Sequence, residues 1–320
     1  MSGDFGWDVV VIGGANTDYL VRGGVLPQLG QTVEGHTFDQ APGGKGANQA
    51  VAAARLGARV SFLARLGADQ RADELIARLS AENVDVSAVV RDAEAATGAA
   101  LIMVNDAGQK QIFTAPGANR RFSVTDVQAA AHTIQRAKVV LSQLEVPIDA
   151  VEEAFRLGRA AGAKIVLDTA PPQPLPDDLL GMVDCLRANA HEVEVVTGIP
   201  VRDRATARLV ADCLIQRGAI AVAIEAGEEG NLLAWRGGEL FLPKVPVKAA
   251  DATGAGDAFA AAIAVMLAEG RSLAEAGPFA SAAAALATTV LGAQAGLPTR
   301  EAVETQLAEM GGAHVLPVDG

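Results

Sequence analysis

Asp8-Val9-Val10-Val11-Ile12-Gly13-Gly14 is the stretch on which the fold turns. An unbroken apolar run has no polar side to show to water. Stopped by paired glycines, it reads as a strand buried on both faces and followed by a tight turn. Shorter runs of the same kind stand at Val60–Leu63, Val139–Leu141, Ile165–Leu167 and Ala219–Ile224. Helical spacing fills the gaps at Gly46–Leu56, Ala72–Leu79, Val127–Gln135, Ala150–Ala161 and Ala205–Gln216. Strands alternating with helices predict a Rossmann-like α/β/α domain of three layers around a central, mostly parallel sheet. Toward the C-terminus, Ala255–Ala268 and Leu273–Val290 read as two successive helices.

Two segments break the alternation. Tyr19–Gln40 and Gly98–Thr114 carry period-two patterns, with turn residues at Gly23-Gly24, Gly30 and Asp106-Ala107-Gly108. They predict antiparallel strands beside the main sheet, either a small β-structure over the strand ends, where open α/β sheets bind ligands, or an edge extension of the sheet. No internal repeat or long linker divides the chain, and Pro171–Pro176 reads as a loop, so residues 1–320 are expected to form a single domain.

Bulk properties exclude several classes. The net charge is -12, with one Tyr and two Trp, which argues against nucleic-acid binding, since that needs basic surface and stacking aromatics. Cys185 and Cys213 lack CxxC spacing and read as reduced packing cysteines. The N-terminus has no basic segment before its short apolar run, so no signal peptide is expected. No run of about 20 uncharged apolar residues suggests a membrane span. A cytoplasmic location follows as the expectation. His36, His132 and His314 are isolated and read as surface or satisfied polar residues.

Three segments carry chemistry. Asp251-Ala252-Thr253-Gly254-Ala255-Gly256-Asp257 runs directly into a helix. Small residues let backbone approach a ligand, and the first amides of a helix have no internal partner, so together they make an anion site. Asp257 at its mouth suits a base that takes the proton of an attacking hydroxyl; a glycine turn with an Asp cap would have the same sequence. Pro42-Gly43-Gly44-Lys45-Gly46-Ala47-Asn48-Gln49 offers Lys45 and Asn48 at another helix start, without a Walker A or dinucleotide fingerprint. That absence argues against a Rossmann dehydrogenase. Asn16-Thr17-Asp18 places two polar side chains two residues apart in extended chain, facing one side.

Taken together and in order, these segments resemble the ribokinase (PfkB) family of carbohydrate kinases over nearly the whole chain. The resemblance runs through GGANTD at Gly13–Asp18, GGKGANQAVAAARLGA at Gly43–Ala58, TGAALIMVN at Thr97–Asn105 and PGAN at Pro116–Asn119. It continues through QLEVP at Gln143–Pro147, Asn189-Ala190-His191-Glu192, TGAGDAF at Thr253–Phe259 and GAQAGLP at Gly292–Pro298. It implies a ribokinase-like fold with a small β-sheet lid from about 16–42 and 97–116, through which two copies often pair. It implies transfer of the terminal phosphoryl group of ATP to a primary hydroxyl of a pentose, with D-ribose and its 5-hydroxyl the leading expectation. The resemblance leaves as the alternative a kinase of another ketose, a deoxysugar or a nucleoside in the same family. A catalytically weak sugar- or nucleotide-binding regulator stays open.

Residue by residue, the resemblance implies that Asn16, Asp18, Gly44, Lys45, Asn48 and Glu145 hold sugar hydroxyls. Asp257 falls at the catalytic base, with Gly254, Ala255 and Gly256 at the anion hole. Asn189 and Gly227 fall beside the nucleotide, and Glu192 where Mg²⁺ is held through water. Asp251 and Thr253, with backbone at Ala287, Val290 and Gly292, resemble a monovalent-cation loop, which implies K⁺. The chain also departs from the pattern. Glu225 replaces the hydroxyl of a Thr-x-Gly turn against the ATP phosphates, and a carboxylate there repels triphosphate unless it turns away or faces a cation. Ala252, Ala261 and Gly296 replace a Thr, an Asn and a hydroxyl residue.

Overall fold

The computed structural model describes residues 6–310, and in it the opening apolar run becomes the strand Trp7–Ile12. Val9 and Val11 enter one apolar core and Val10 and Ile12 the other. Alternate side chains of a strand point to opposite faces, so a strand between two helical layers has to be apolar at every position.

The main sheet has nine strands. In spatial order they are Gly238–Pro243, Gly230–Trp235, Ala221–Glu225, Cys185–Ala188, Lys164–Asp168, Ala137–Ser142, Trp7–Ile12, Val60–Leu63 and Val84–Asp85. The first two are an antiparallel hairpin on one edge that also joins Ala221–Glu225 antiparallel, and all remaining neighbours run parallel. Trp7–Ile12 pairs with Val60–Leu63 on one side and Ala137–Ser142 on the other, so the chain order reverses beside it. Crevices at the carboxyl ends of strands open at such reversals.

Helices Lys45–Arg55, Gln70–Ala81, Ala255–Ala268 and Leu273–Ala287 pack on one face. Helices Ile148–Ala160, Ala190–Thr197 and Arg204–Gln216 pack on the other. Ala255–Ala268 is apolar nearly all round and sits between the sheet and its neighbouring helices. Its small residues allow that close approach.

The two interrupting segments form a separate four-stranded sheet, in the order Gly35–Gly43, Asn16–Gly23, Gly98–Asn105, Lys110–Ala115. Each segment is an antiparallel pair, and the two pairs join through a parallel ladder from Asn16↔Gly98 to Gly23↔Asn105. Val21, Phe38, Leu101, Ile112 and Phe113 are exposed on this sheet.

Some local expectations shift. The helix expected over Val127–Gln135 starts earlier, at Val124, because Ser123 and Asp126 form a capping box, and it breaks at Ala130 into two short helices. The last long helix stops at Ala287, not Val290. The strand Cys185–Ala188 and the edge hairpin had no apolar run to announce them. Cys185 is buried, Cys213 is half-buried, and both are free thiols. No helix among the described residues is long and apolar enough to cross a membrane. His314 and the first five residues, on which the leader expectation partly rested, lie outside the described residues.

Candidate active site

The crevice at the strand reversal holds a buried polar cluster. Asp257 lies in the first turn of helix Ala255–Ala268 and is 4% exposed. Its Oδ2 accepts from Asn48 Nδ2 at 2.9 Å and its Oδ1 from Gln49 Nε2 at 3.1 Å. The carboxylate therefore faces polar neighbours and not the apolar core. Gln49 Nε2 also donates to Asp168 Oδ2 at 3.0 Å, and Gln294 Nε2 donates to Asn48 Oδ1 at 3.2 Å. Burial pushes the Asp257 carboxyl above its ordinary pKa, against the pull of the Lys45 ammonium. Burial alone would lower the pKa of Lys45, but Asp257 and Asp168 around it hold it above the ordinary lysine value.

The other polar groups expected to meet a sugar converge from three elements. Glu145 follows the strand Ala137–Ser142, and its Oε2 accepts the backbone amide of Lys45 at 2.8 Å. Burial pushes its pKa up to about 7, Lys45 opposes, and the charges of Asp257 and Asp18 add to the rise. Asp18 also rises to about 7 through burial, its carboxylate pressed against Gly43. Asn16 is oriented by Asn119, whose Nδ2 donates to Asn16 Oδ1 at 2.8 Å while its Oδ1 accepts from the Ala15 amide at 3.1 Å. Gly44 has φ +88°, and a Cβ there would lie 2.5 Å from Ala15 Cα. Only glycine permits both that backbone and that approach. Asn16, Asp18, Lys45, Asn48, Glu145 and Asp257 thus share one electrostatic neighbourhood.

On the side where a nucleotide is expected, helix Ala255–Ala268 opens on Gly254 at φ +88° with no side-chain cap. The amides of Gly256 and Asp257 donate to no acceptor among the described residues, which leaves them to a ligand. A cleft of about 510 Å³ runs away from them, lined by Arg187, Gly227, Asn231, Ala255, Gly256 and Phe259, among others. Glu225 lines it too. Asn189 and Glu192 sit beside it in a capping box: Glu192 N donates to Asn189 Oδ1, and Asn189 N and Nδ2 donate to the Glu192 carboxylate, all at 2.8 Å. In the ligand-free chain both therefore serve the start of helix Ala190–Thr197.

The proposed cation loop is assembled around Asp251. Its Oδ1 accepts from Thr253 N at 3.0 Å and Thr253 Oγ1 at 2.6 Å, and its Oδ2 accepts from Gly292 N at 3.1 Å. Burial raises the Asp251 pKa, but these bonds outweigh it and hold the carboxyl below its ordinary value. The carbonyl oxygens of Ala287 and Val290 converge on Gly296, at 2.3 and 3.3 Å from where a Cβ would stand. Glycine there keeps the space before those carbonyls open. Lys110 Nζ reaches Thr253 Oγ1 at 3.5 Å from the small sheet.

Gln49, Asn119, Asp168 and Arg187 were not legible as site residues. Gln49 and Asn119 stood inside quoted motifs without a role, Asp168 lies just past the apolar run Ile165–Leu167, and Arg187 sits in a strand that no apolar run marks. Arg187 Nη1 donates to Asp168 Oδ1 at 3.0 Å and Glu192 Oε2 at 3.3 Å.

The profile of the pfkB family carbohydrate kinases matches residues 8–300. A ribokinase of Haemophilus influenzae is 35% identical over 293 residues, 92% of this chain and 96% of that protein. A bifunctional ribokinase/ribose-5-phosphate isomerase A of Fructilactobacillus sanfranciscensis is 36% identical over 297 residues, 92% of this chain, which spans 55% of that longer protein. Among solved structures, Arabidopsis thaliana ribokinase complexed with ribose and ATP superposes with a TM-score of 0.85 at 32% identity, covering 93% of this chain and 98% of that one.

Proposed function

The chain belongs to the pfkB family of carbohydrate kinases, and from that membership we propose that it transfers the terminal phosphoryl group of ATP to the 5-hydroxyl of D-ribose, giving ribose 5-phosphate and ADP. Asn16, Asp18, Asn48 and Glu145, with the backbone at Gly44 and the ammonium of Lys45, hold the sugar hydroxyls. Asp257 accepts the proton of the attacking hydroxyl as its oxygen bonds to phosphorus and ADP leaves. The amides at Gly256 and Asp257, exposed by the Gly254 turn beside Ala255, neutralise the charge that spreads over the transferring group. The nucleotide lies in the 510 Å³ cleft past Gly227, with Asn189, two residues beyond the cleft-lining Arg187, beside it.

The observation that carries this reading is the placement of Asp257. A buried carboxylate of raised pKa, held by side-chain amides, stands in the first turn of a helix whose Gly256 and Asp257 amides are unspent among the described residues. A base poised in that way is suited to an alcohol.

The buried acids Asp168 and Glu192 and the exposed Glu225 outnumber the one guanidinium of Arg187 beside them, and such an excess of negative charge fits a hard divalent cation. Magnesium retains most of its waters, so Glu192 acting through water is a sufficient anchor; bound on the nucleotide, the ion would neutralise phosphate charge. The all-oxygen set of Asp251, Ala287 and Val290 fits potassium, with Thr253 and Gly292 shaping the loop. The small sheet of segments 16–42 and 97–116 acts as a lid on a single kinase domain, and its exposed Phe38, Leu101 and Phe113 suit pairing with the lid of a second copy. Free cysteines accord with a reducing cytoplasmic setting.

ADP release measured against a panel of pentoses, 2-deoxyribose, ketoses and nucleosides, with and without Mg²⁺, tests the reading. The expected outcome is Mg²⁺-dependent turnover that is fastest with D-ribose. Nucleotide binding without sugar-dependent ADP release would favour a regulator and overturn it.

A further inference from the structure

Arg187 is the one strongly placed side chain of this crevice that the mechanism above leaves without a task. It occupies the penultimate position of the strand Cys185–Ala188, opposite Asp168 on one neighbouring strand and Ala223 on the other. Glu225 lies two residues beyond Ala223, on the same face of the sheet. Arg187 is therefore flanked by Asp168, Glu192 and Glu225, and its side chain is only 14% exposed. Burial works against the charged guanidinium, but Asp168 and Glu192, and then Glu225, outweigh it and hold Arg187 firmly protonated.

Its position is more telling than its charge. A Cβ built on Gly256 would lie 2.6, 2.7 and 2.8 Å from Nη1, Cζ and Nη2 of Arg187. Near-equal distances to three atoms of a flat group mean that the guanidinium lies face-on against Gly256, beside the unspent amides at the helix start. Both hydrogen bonds of Arg187 come from Nη1, so Nη2 and Nε donate to no acceptor among the described residues. Arg187 and Glu225 both line the nucleotide cleft. A buried guanidinium with free donors, facing a cleft that ends in an anion hole, matches the geometry by which arginine grips phosphate.

We propose that Arg187 contacts the terminal phosphates of the nucleotide through Nη2 and Nε, and that Glu225 is kept as its counter-charge. The pair takes over the task of the hydroxyl turn that Glu225 displaces. With Arg187 in place, the carboxylate of Glu225 holds the guanidinium over the cleft; without it, the same carboxylate repels triphosphate. Gly256 is then required for a second reason, because any side chain there would push the guanidinium aside. No proton moves in this role, since arginine stays charged throughout.

This inference rests on the kinase reading, and its test separates the two. Arg187→Gln, Arg187→Lys, Glu225→Thr and the double variant Arg187→Gln/Glu225→Thr are compared for kcat and KM of MgATP at saturating ribose. Calorimetry of ADP and of ribose accompanies the kinetics. Arg187→Gln should lower kcat/KM for ATP about 100-fold and weaken ADP about 10-fold, with ribose affinity unchanged. Arg187→Lys should recover only part of this, since lysine lacks the fork. Glu225→Thr should cost less than about 3-fold alone, yet restore about 10-fold when added to Arg187→Gln, because it removes an unscreened carboxylate. Nucleotide kinetics within about 3-fold of the parent in Arg187→Gln would overturn the proposal. Equal loss of ribose and ADP binding in both the Gln and Lys variants would assign Arg187 to the fold alone and overturn it as well. If the parent enzyme binds ADP but phosphorylates no sugar, the kinase reading fails, and the ADP calorimetry still decides the role of Arg187.

Discussion

Two helices of this molecule begin in the same unusual way and end up with different tasks. Lys45–Arg55 and Ala255–Ala268 both open on a glycine at φ +88° and have no side-chain cap. Five other helices begin on Asp69, Ser123, Asp203, Ser272 or Thr299, whose oxygens satisfy first-turn amides, while Ile148–Ala160 starts uncapped on Pro147 and the single turn Ala293–Gly296 on Gly292. At Lys45 the opening amide is taken by the carboxylate of Glu145. In the other helix Ala255 N turns back to Ala252 O at 3.3 Å, and no acceptor among the described residues takes the next two amides, those of Gly256 and Asp257. The first start is already filled with negative charge and suits neutral hydroxyls. The second keeps its positive end free and suits a phosphoryl group. On the proposed reading, one buried acid, Glu145, would tell substrate from phosphoryl donor.

The comparison breaks most readily at Asp257, which sits where the two starts meet. Asp257→Ala should lower kcat by about 100-fold or more while the protein melts cooperatively near the parent temperature, because a desolvated carboxylate is no asset to stability. Near-parent turnover in steady-state assays would remove the base from the scheme. Next in size is Gly254→Ala. A side chain at φ +88° is strained, and this one would also meet Ala293 O at 3.0 Å. A fall of roughly 10-fold or more in kcat, with ribose affinity little changed, is expected from the misplaced amides.

Glu145→Gln sharpens the contrast from the other side. It should raise the ribose KM about 10-fold and leave the KM for ATP nearly unchanged, since the loss lies at the neutral start. Equal effects on both substrates would mean that the two starts do not divide the work.

A smaller, graded effect should come from pH. Asp18 and Glu145 have ordinary carboxyl pKa values of 3.8 and 4.5 and folded values of about 7. Between those limits the folded chain binds more protons than the unfolded one. Their contribution to stability is therefore complete below about pH 4 and is lost as pH rises through 7. The melting temperature of the ligand-free protein should fall from pH 5 to 8, and Asp18→Asn should flatten that fall. A melting temperature that rises over the same window would contradict the burial of these acids. The mildest test exchanges K⁺ for Na⁺ at equal ionic strength; a rate loss of a few-fold in Na⁺ is expected if the Asp251 loop takes potassium.

Much of the architecture was legible because its signals are local. A doubly buried strand has to be apolar at each position, so Val9–Ile12 and Val60–Leu63 announced themselves. Cys185–Ala188 did not, because it carries Arg187 into the crevice, and a strand that delivers a charge cannot be a clean apolar run. Likewise the glycines before Lys45 and Asp257 were readable as helix starts, while their difference was not. That difference depends on Glu145, 100 residues from Lys45.

The sequence alone determined the alternation of strands and helices, the two interrupting segments, and the short motifs that place Asn16, Lys45 and Asp257 at element ends. Those are properties of neighbouring residues, and hydrophobic period and backbone preference act over that range. Only the tertiary structure decided that Arg187 lies flat on Gly256 with Glu225 alongside, and that Gln49 ties Asp257 to Asp168. Such contacts are set by sheet order and register, which bring together residues far apart in the chain with no local pattern linking them.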